Sequence, residues 1–341
     1  MSIMWLVALV ALVSWVGVAL VRRYALQRLL DVPNDRSSHS HPTPRGGGLG
    51  VTVAHLAGVS AASLAGWVDA SVAIALLGGG LLVAIIGFLD DHLHVNAGWR
   101  LCSHFSAFTW ACAWIGVLPP VDFSWGPVSL GWIGTILLLL YLAWFLNLFN
   151  FMDGIDGIAG VQAVTMAATA ALLVAVGGND WREALPLWLL VAATFGFLQW
   201  NWPPAKIFMG DVGSGYLGYA LGVLALWTVV EGWLTPWVWL ILGGTFLADA
   251  TVTLVVRARS GVQVTTAHRS HAYQRLSRYW RSHRRVTLCF LFVNVFWLAP
   301  LAWIASTWPV SGMIVSVVAL VPLFVIAARV GAGRIGDIAA R

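Results

Sequence analysis

The stretch 131–157, GWIGTILLLLYLAWFLNLFNFMDGIDG, decides how this chain folds: an apolar run from Gly131 to Phe149 closes on Asn147, Asn150, Asp153 and Asp156, with Gly154 and Gly157 beside the acids. A run of this length crosses a bilayer core as a helix. Polar and ionisable groups at the edge of such a span are costly unless they serve a site. Spacing of three keeps Asn147, Asn150 and Asp153 near one helical face, and the glycines remove bulk where a ligand could approach the backbone. The pattern suits a hydrated cation with phosphates, since Mg²⁺ takes a few protein oxygens plus phosphate oxygens. A polar helix terminus with turn glycines is the plain alternative.

The rest of the chain repeats the apolar theme. Of 341 residues, 60% are hydrophobic and 10% charged, and the mean hydropathy is +0.83, which excludes an ordinary soluble domain. Apolar runs at about 3–21, 48–66, 71–89, 101–118, 130–149, 158–177, 184–200, 212–230, 234–256, 286–305 and 309–328 predict an all-α polytopic integral membrane protein of about eleven transmembrane helices. No spacer or repeat divides it, so residues 1–341 read as a single membrane-embedded domain. With the gaps numbered alternately, every Lys and Arg except Arg182 falls on one side. The positive-inside rule then places the N-terminus outside and the C-terminus in the cytoplasm. Arg22 and Arg23 follow the first run instead of preceding it, the reverse of a cleavable signal, so it is expected to stay as an anchor. The pI near 9.5 needs no nucleic-acid partner, because cytoplasmic Arg beside anionic membrane lipids accounts for it. Cys102, Cys112 and Cys289 lie in apolar runs without ligand spacing. Trp67, Trp125, Trp132, Trp233 and Trp237 sit near outer ends as an interfacial belt.

The alternation that sorts the arginines puts the polar clusters on that same side. Asp90 and Asp91 end an apolar run, and adjacent carboxylates repel unless a cation or proton relieves them. About 100° apart on a helix, they are suited to different roles. Gly210-Asp211-Val212-Gly213-Ser214 opens the eighth helix, where free N–H groups suit phosphate and Asp211 could bring a metal; a bland N-cap is equally compatible. The loop from Asp31 to Gly48 contains Arg45 and three glycines. In the last large loop, 257–285, most arginines read as bulk positive charge. His268 and His271, three residues apart around Arg269, are narrower candidates for a phosphate. Asp249, two turns inside the ninth helix, reads as a buried hydrogen-bonding acid more readily than as a site residue.

Collectively these residues resemble the polyprenyl-phosphate N-acetylhexosamine-1-phosphate transferase family. Asp90-Asp91, Asn147-x-x-Asn150-x-x-Asp153-Gly-x-Asp156-Gly, Gly210-Asp211-x-Gly-Ser and a His-containing last loop occur in the family's order, as does the Pro-Asn-x-Arg-Ser-Ser-His loop ending in Gly-Gly-Gly. The eleven-helix topology resembles the bacterial undecaprenyl-phosphate GlcNAc-1-phosphate transferase branch. The resemblance implies transfer of a sugar 1-phosphate from a UDP-N-acetylsugar to undecaprenyl phosphate, with release of UMP. That would initiate a cell-surface glycan such as O-antigen on the cytoplasmic face of the bacterial inner membrane, with Mg²⁺ or Mn²⁺ as cofactor. It implies Asp211 and Asn150 as metal ligands, Phe208 as the uracil-stacking aromatic and Asp90 as base. Asp91, Asp153 and Asp156 would be further active-site acids. Asn147, Arg100, Arg45, His268, Arg269 and His271 would contact substrate. The loop carries fewer adjacent histidines than the best-known branches, and the donor sugar and a homodimeric state are left open. The rival class is a cation- or proton-coupled transporter, which would gather its acids at the bilayer midplane on broken helices of paired repeats.

Overall fold

The computed structural model describes residues 2–33, 41–93, 95–261 and 269–334. Within them every apolar run folds as helix. In chain order the elements are α1 (Ile3–Arg28), β1 (Leu30–Asp31), β2 (Thr43–Pro44), α2 (Gly48–Leu64), α3 (Ala70–Leu93), α4 (Ala97–Ile115), β3 (Val121–Phe123), β4 (Gly126–Val128) and α5 (Gly131–Met152). There follow α6 (Ile158–Val176), α7 (Leu185–Asn201), α8 (Asp211–Val230), α9 (Pro236–Leu242), α10 (Gly244–Arg259), α11 (Ala272–Trp280), α12 (His283–Val293), α13 (Ala299–Thr307) and α14 (Gly312–Val330). The strands form two small antiparallel pairs, β1 with β2 and β3 with β4, so the framework is all-α. Among the described residues seven helical segments are long and apolar enough to cross a bilayer, and the bent pair α9/α10 makes an eighth. The apolar helices α2 and α7, of 17 residues each, and α4, which carries Arg100 and His104, complete the eleven runs.

Packing places α8 at the centre. Its side chains are almost all buried, Tyr216, Leu217 and Tyr219 fully, whereas α1 and α14 expose Trp5, Leu12, Ile314 and Val317 as a lipid-facing surface should. With lipid as apolar as the core, helices associate through small residues that let backbones close up. A Cβ on Gly48 of α2 would lie 2.1 Å from the Cα of Gly213 in α8. Filling that contact forces the helices apart, at a cost of about 1–3 kcal/mol.

The run 234–256, expected as one helix, is broken. α9 and α10 meet at 74°. The break frees the Leu242 carbonyl, which accepts from Gln162 Nε2 at 3.0 Å. Gln162 Oε1 accepts in turn from Thr245 Oγ1 (2.9 Å) and from Asn294 Nδ2 (2.7 Å). Asn294 opens the π-helical turn Asn294–Leu298 between α12 and α13. Irregular backbone inside a bundle is tolerated where such partners satisfy it.

Candidate active site

The C-terminal ends of α3 and α5 meet the N-terminal end of α8. Asp91 is turned onto α8: its Oδ1 accepts from Asp211 N (3.1 Å) and its Oδ2 from Val212 N (3.2 Å). A carboxylate from another helix thus satisfies two of the four orphan donors of α8 and complements its dipole. Gly210 is required by this clamp, because its φ is +76° and a Cβ would lie 2.7 Å from Asp91 Oδ2. The clamp turns the Asp211 side chain toward α5, where Oδ1 accepts from Asn150 Nδ2 at 2.9 Å. Arg100 pairs with Asp90 and lies 3.7 Å from Asp211 Oδ2. Asp90 Oδ1 also accepts from Val95 N at 2.7 Å. Asn147 Nδ2 donates to the Ala143 carbonyl at 2.7 Å and lies 3.3 Å from His104 Nδ1. Together these side chains line a cavity of about 20 Å³, room for a single water-sized occupant.

A second, larger cavity of about 750 Å³ is lined by Asp156, Phe208, Arg278, Arg281, His283 and Arg284, among others. The segments 150–156 and 208–211 each run from one cavity to the other, Asn150 and Asp211 lining the small one, Asp156 and Phe208 the large one. Asp156 is buried in the wall: Oδ2 accepts from Ala205 N (3.0 Å) and Oδ1 lies 3.1 Å from His283 Nδ1. Arg281, just past α11, is the one non-glycine residue with positive φ (50°) among the described residues. Half-buried Asp153, beyond the end of α5, is pushed well above the usual carboxylate range. Burial is the first cause, followed by the like charges of Asp211, Asp91 and Asp156. The loop holding it is braced by α11, whose Tyr273 hydroxyl donates to the Phe151 carbonyl at 3.0 Å.

Comparison with known proteins agrees with this architecture. The profile described as Glycosyl transferase family 4 matches residues 73–229. A decaprenyl-phosphate N-acetylglucosaminephosphotransferase of Mycobacterium tuberculosis is 31% identical over 295 residues, covering 77% of this chain and 72% of the relative. This chain belongs to glycosyl transferase family 4. A probable undecaprenyl-phosphate N-acetylglucosaminyl 1-phosphate transferase of Bacillus subtilis is 27% identical over 283 residues, 81% of this chain and 77% of the relative. A phospho-N-acetylmuramoyl-pentapeptide-transferase of Shouchella clausii is 29% identical over 192 residues, 52% of this chain and 56% of the relative.

The segment matched to glycosyl transferase family 4 contains Asp90, Asp91, Arg100, Asn147, Asn150, Asp153, Asp156, Phe208 and Asp211, and the structure brings all of them to the two cavities or the loops joining them. Asp91 stands apart from Asp90 in role, as the helical offset implied, since both its oxygens hold backbone of α8. Arg45 fastens the first loop: its guanidinium bonds the Asp91 carbonyl and its Nε lies 3.7 Å from Asp91 Oδ1. His271 lines neither cavity. It is 2% exposed, and its Nδ1 lies 3.2 Å from Oδ1 of buried Asp249. Asp249 also accepts from Ala272 N (2.8 Å) and Tyr273 N (2.9 Å), so it caps α11 as Asp91 caps α8. Arg269 is exposed and lines neither cavity; its carbonyl accepts from Arg278 Nη1 at 3.0 Å. His268 and residues 34–40 of the first loop lie outside the described residues. Sequence reasoning passed over His104 and His283 and read Arg278, Arg281 and Arg284 as bulk positive charge, whereas all three line the larger cavity. His104 follows Arg100 by four and Arg278, Arg281 and Arg284 recur every three residues, spacings that could have drawn notice; His283 carries no spacing signal.

Proposed function

We propose that this protein transfers a sugar 1-phosphate from a UDP-N-acetylsugar to a polyprenyl phosphate such as undecaprenyl phosphate, releasing UMP and leaving a lipid-linked diphosphate sugar. The observation that carries this reading is the joining, by two shared loops, of a carboxylate pocket to a large cleft with one aromatic side chain and three arginines. A nucleoside diphosphate donor needs an aromatic face for its base and cations for its phosphates; Phe208, Arg278, Arg281 and Arg284 supply both. The acceptor class is supported by the relatives, a decaprenyl-phosphate and a probable undecaprenyl-phosphate transferase. The acids lie at helix ends, Asp90 in the last turn of α3 and Asp211 in the first of α8. A lipid headgroup and a soluble nucleotide can meet there, whereas a transporter would place them at mid-membrane.

Phosphoryl transfer asks a protein mainly for positioning and charge compensation. The donor set fits Mg²⁺ or Mn²⁺: Asp211, Asp90 and Asn150 bring hard oxygens together. Among the described residues no group of three or more His, Cys, Asp or Glu is placed to hold a metal ion by itself, so substrate phosphates would have to complete the coordination. When bound, such an ion neutralises the diphosphate and the departing UMP. Asp90 is placed to accept a proton from the acceptor phosphate while Arg100 offsets its charge. The acceptor oxygen attacks the donor's β-phosphorus as the bond to UMP breaks. Both Asp156 oxygens are engaged, which favours this direct route over a phospho-aspartate there. The one-sided basic residues support an eleven-span arrangement with the N-terminus outside and the site at the cytoplasmic face of a bacterial inner membrane. The product would start a surface glycan such as O-antigen.

Isolated membranes given undecaprenyl phosphate and a panel of UDP-N-acetylsugars labelled with ³²P at the β position test the reading. Label should enter the organic-extractable lipid as unlabelled UMP appears. Release of UDP with an unlabelled glycolipid, or uptake of substrate without lipid product, would overturn it.

A further inference from the structure

Outside the lining of both cavities, α1 and the segment after α7 build a cluster that the transfer reaction does not use. Lys206 Nζ lies 5.6 Å and Arg22 Cζ 6.0 Å from the centroid of the same Trp200 ring. Arg22 is fixed there, since its Nε donates to the Lys206 carbonyl at 3.2 Å. Trp200 is fixed in turn by donating Nε1 to the Trp15 carbonyl at 3.1 Å, and the two indoles pack with centroids 5.6 Å apart. Trp15 is 44% exposed on the lipid-facing side of α1. Among the described residues no acidic side chain pairs with either cation.

The depth of this cluster follows from the length of α1. Arg22 lies about nineteen residues from Ile3, roughly 29 Å along the axis at ~1.5 Å per residue, close to the ~30 Å thickness of the hydrocarbon core. Two cations and an indole are therefore at the headgroup level, with an apolar flank beside them. The other end of the bundle offers a contrast. Arg182 Cζ lies 5.9 Å from the Trp181 ring, but Arg182 pairs with Asp180 at 4.0 Å and Glu183 follows it in sequence. That cation already has its counter-charge; among the described residues Arg22 and Lys206 meet no acidic side chain.

We propose that Arg22 and Lys206, held over Trp200, bind the phosphate of an anionic membrane lipid. The indole and Trp15 give the acyl chain an apolar wall, and the cations take the headgroup charge. A phosphodiester lipid and a prenyl phosphomonoester share this chemistry. Occupancy bears on the cleft through the chain itself, because Ala205 donates to Asp156 and Phe208 lines the cavity.

The full chain in neutral detergent tests this through lipid-induced thermal shifts, read for each variant against its own melting temperature without lipid. Phosphatidylglycerol, farnesyl phosphate and inorganic phosphate are the three probes. Wild type and Arg182→Gln should be stabilised by at least one of the two lipids, with roughly tenfold weaker apparent affinity in R22Q/K206Q and recovery in R22K/K206R. Should the double variant not fold, R22Q and K206Q read singly serve the same purpose. Whichever lipid shows the loss identifies the source, and farnesyl phosphate binding that survives in R22Q/K206Q belongs to an acceptor site elsewhere. Equal affinity in R22Q/K206Q and wild type for both lipids, an equal loss in R182Q, or the same response to inorganic phosphate would overturn the proposal. Binding is read without turnover, so it stands or falls independently of the transfer reaction.

Discussion

The two ends of α11 carry nearly the same side chains and do different work. Before it stand Arg269 and His271; after it stand Arg281, His283 and Arg284. At the first end His271 is buried against Asp249, and the helix start is consumed in its own capping. At the second, Arg281, His283 and Arg284 line the cleft. Charge alone does not separate them. What separates them is where the buried carboxylate lies: Asp156 sits in the wall of the cleft and keeps His283 at its lining, while the other acid holds its partner inside the bundle. Asp249 does so for His271 and caps α11, as Asp91 caps α8, and each clamped helix presents other residues to a cavity.

The largest expected effect sets the scale for this contrast. Asp211→Asn keeps the shape of α8 and the backbone clamp from Asp91 but removes the carboxylate that meets Asn150. Turnover should fall on the order of 10³-fold, the loss seen when one preorganised charge-stabilising group is removed, with insertion and melting temperature preserved. Turnover within a few-fold of wild type would remove the small cavity from the chemistry.

Next come the two ends of α11. Charge-assisted contacts to phosphate contribute about 1.5–3 kcal/mol, so Arg281→Ala and Arg284→Ala should each lower kcat/KM by roughly 10- to 100-fold. Arg269→Ala should stay within a few-fold, because a solvated cation is screened over about 8–10 Å at physiological salt. Equal losses in all three would mean that the segment acts through diffuse charge, and the contrast between the ends would disappear. His271→Ala should behave differently again. It strips Asp249 of a buried partner, at a cost of about 1–3 kcal/mol, so it should lower the melting temperature while leaving kcat/KM per folded molecule nearly intact. A kinetic loss at unchanged stability would return His271 to the substrate site.

Much of this architecture was legible because periodic burial is written locally. All eleven helical runs coincide with apolar stretches, and Asp90, Asn150 and Asp211 stood out as polar groups at span edges. The broken helix at Gly243 was not legible, since an apolar run looks the same whether straight or bent, and the partners that satisfy its freed carbonyl, Gln162 and through it Asn294, are distant in the chain. Nor could spacing tell His271 from His283. Their partners, Asp249 and Asp156, lie 22 and 127 residues away in the chain, and only tertiary contact decides which is capped and which lines a cavity. Ser270, in the last large loop, is only 8% exposed in the fold. Sidedness is therefore better probed at exposed Asp180 and Ser260. Single cysteines there, in a background lacking Cys102, Cys112 and Cys289, should react with an impermeant thiol reagent from opposite faces; reaction from the same face would break the eleven-span arrangement.

The smallest expected effect concerns Asp153, in the loop that Tyr273 of α11 braces. Burial and three neighbouring carboxylates hold its pKa well above the ordinary value, so the folded protein keeps a proton that the unfolded chain releases near pH ~3.9. Between that value and the raised one the folded state binds more protons, and stability falls as pH rises through the window. Asp153→Asn removes the titration and with it the loss. The variant should melt close to wild type at about pH 4, exceed it by a growing margin as pH rises, and reach a constant margin once wild-type Asp153 is ionised in the folded state. Activity is expected to be lost in the same variant, so the site would be holding a like charge at the expense of stability. The comparison of α11's ends sharpens here too. Tyr273→Phe keeps the ring but removes the hydroxyl bond to Phe151, and should lower the melting temperature at every pH by a similar amount. Melting curves of wild type and Asp153→Asn that stay parallel across the whole range would show that Asp153 ionises normally, and that its neighbours do not act on it as one charged cluster.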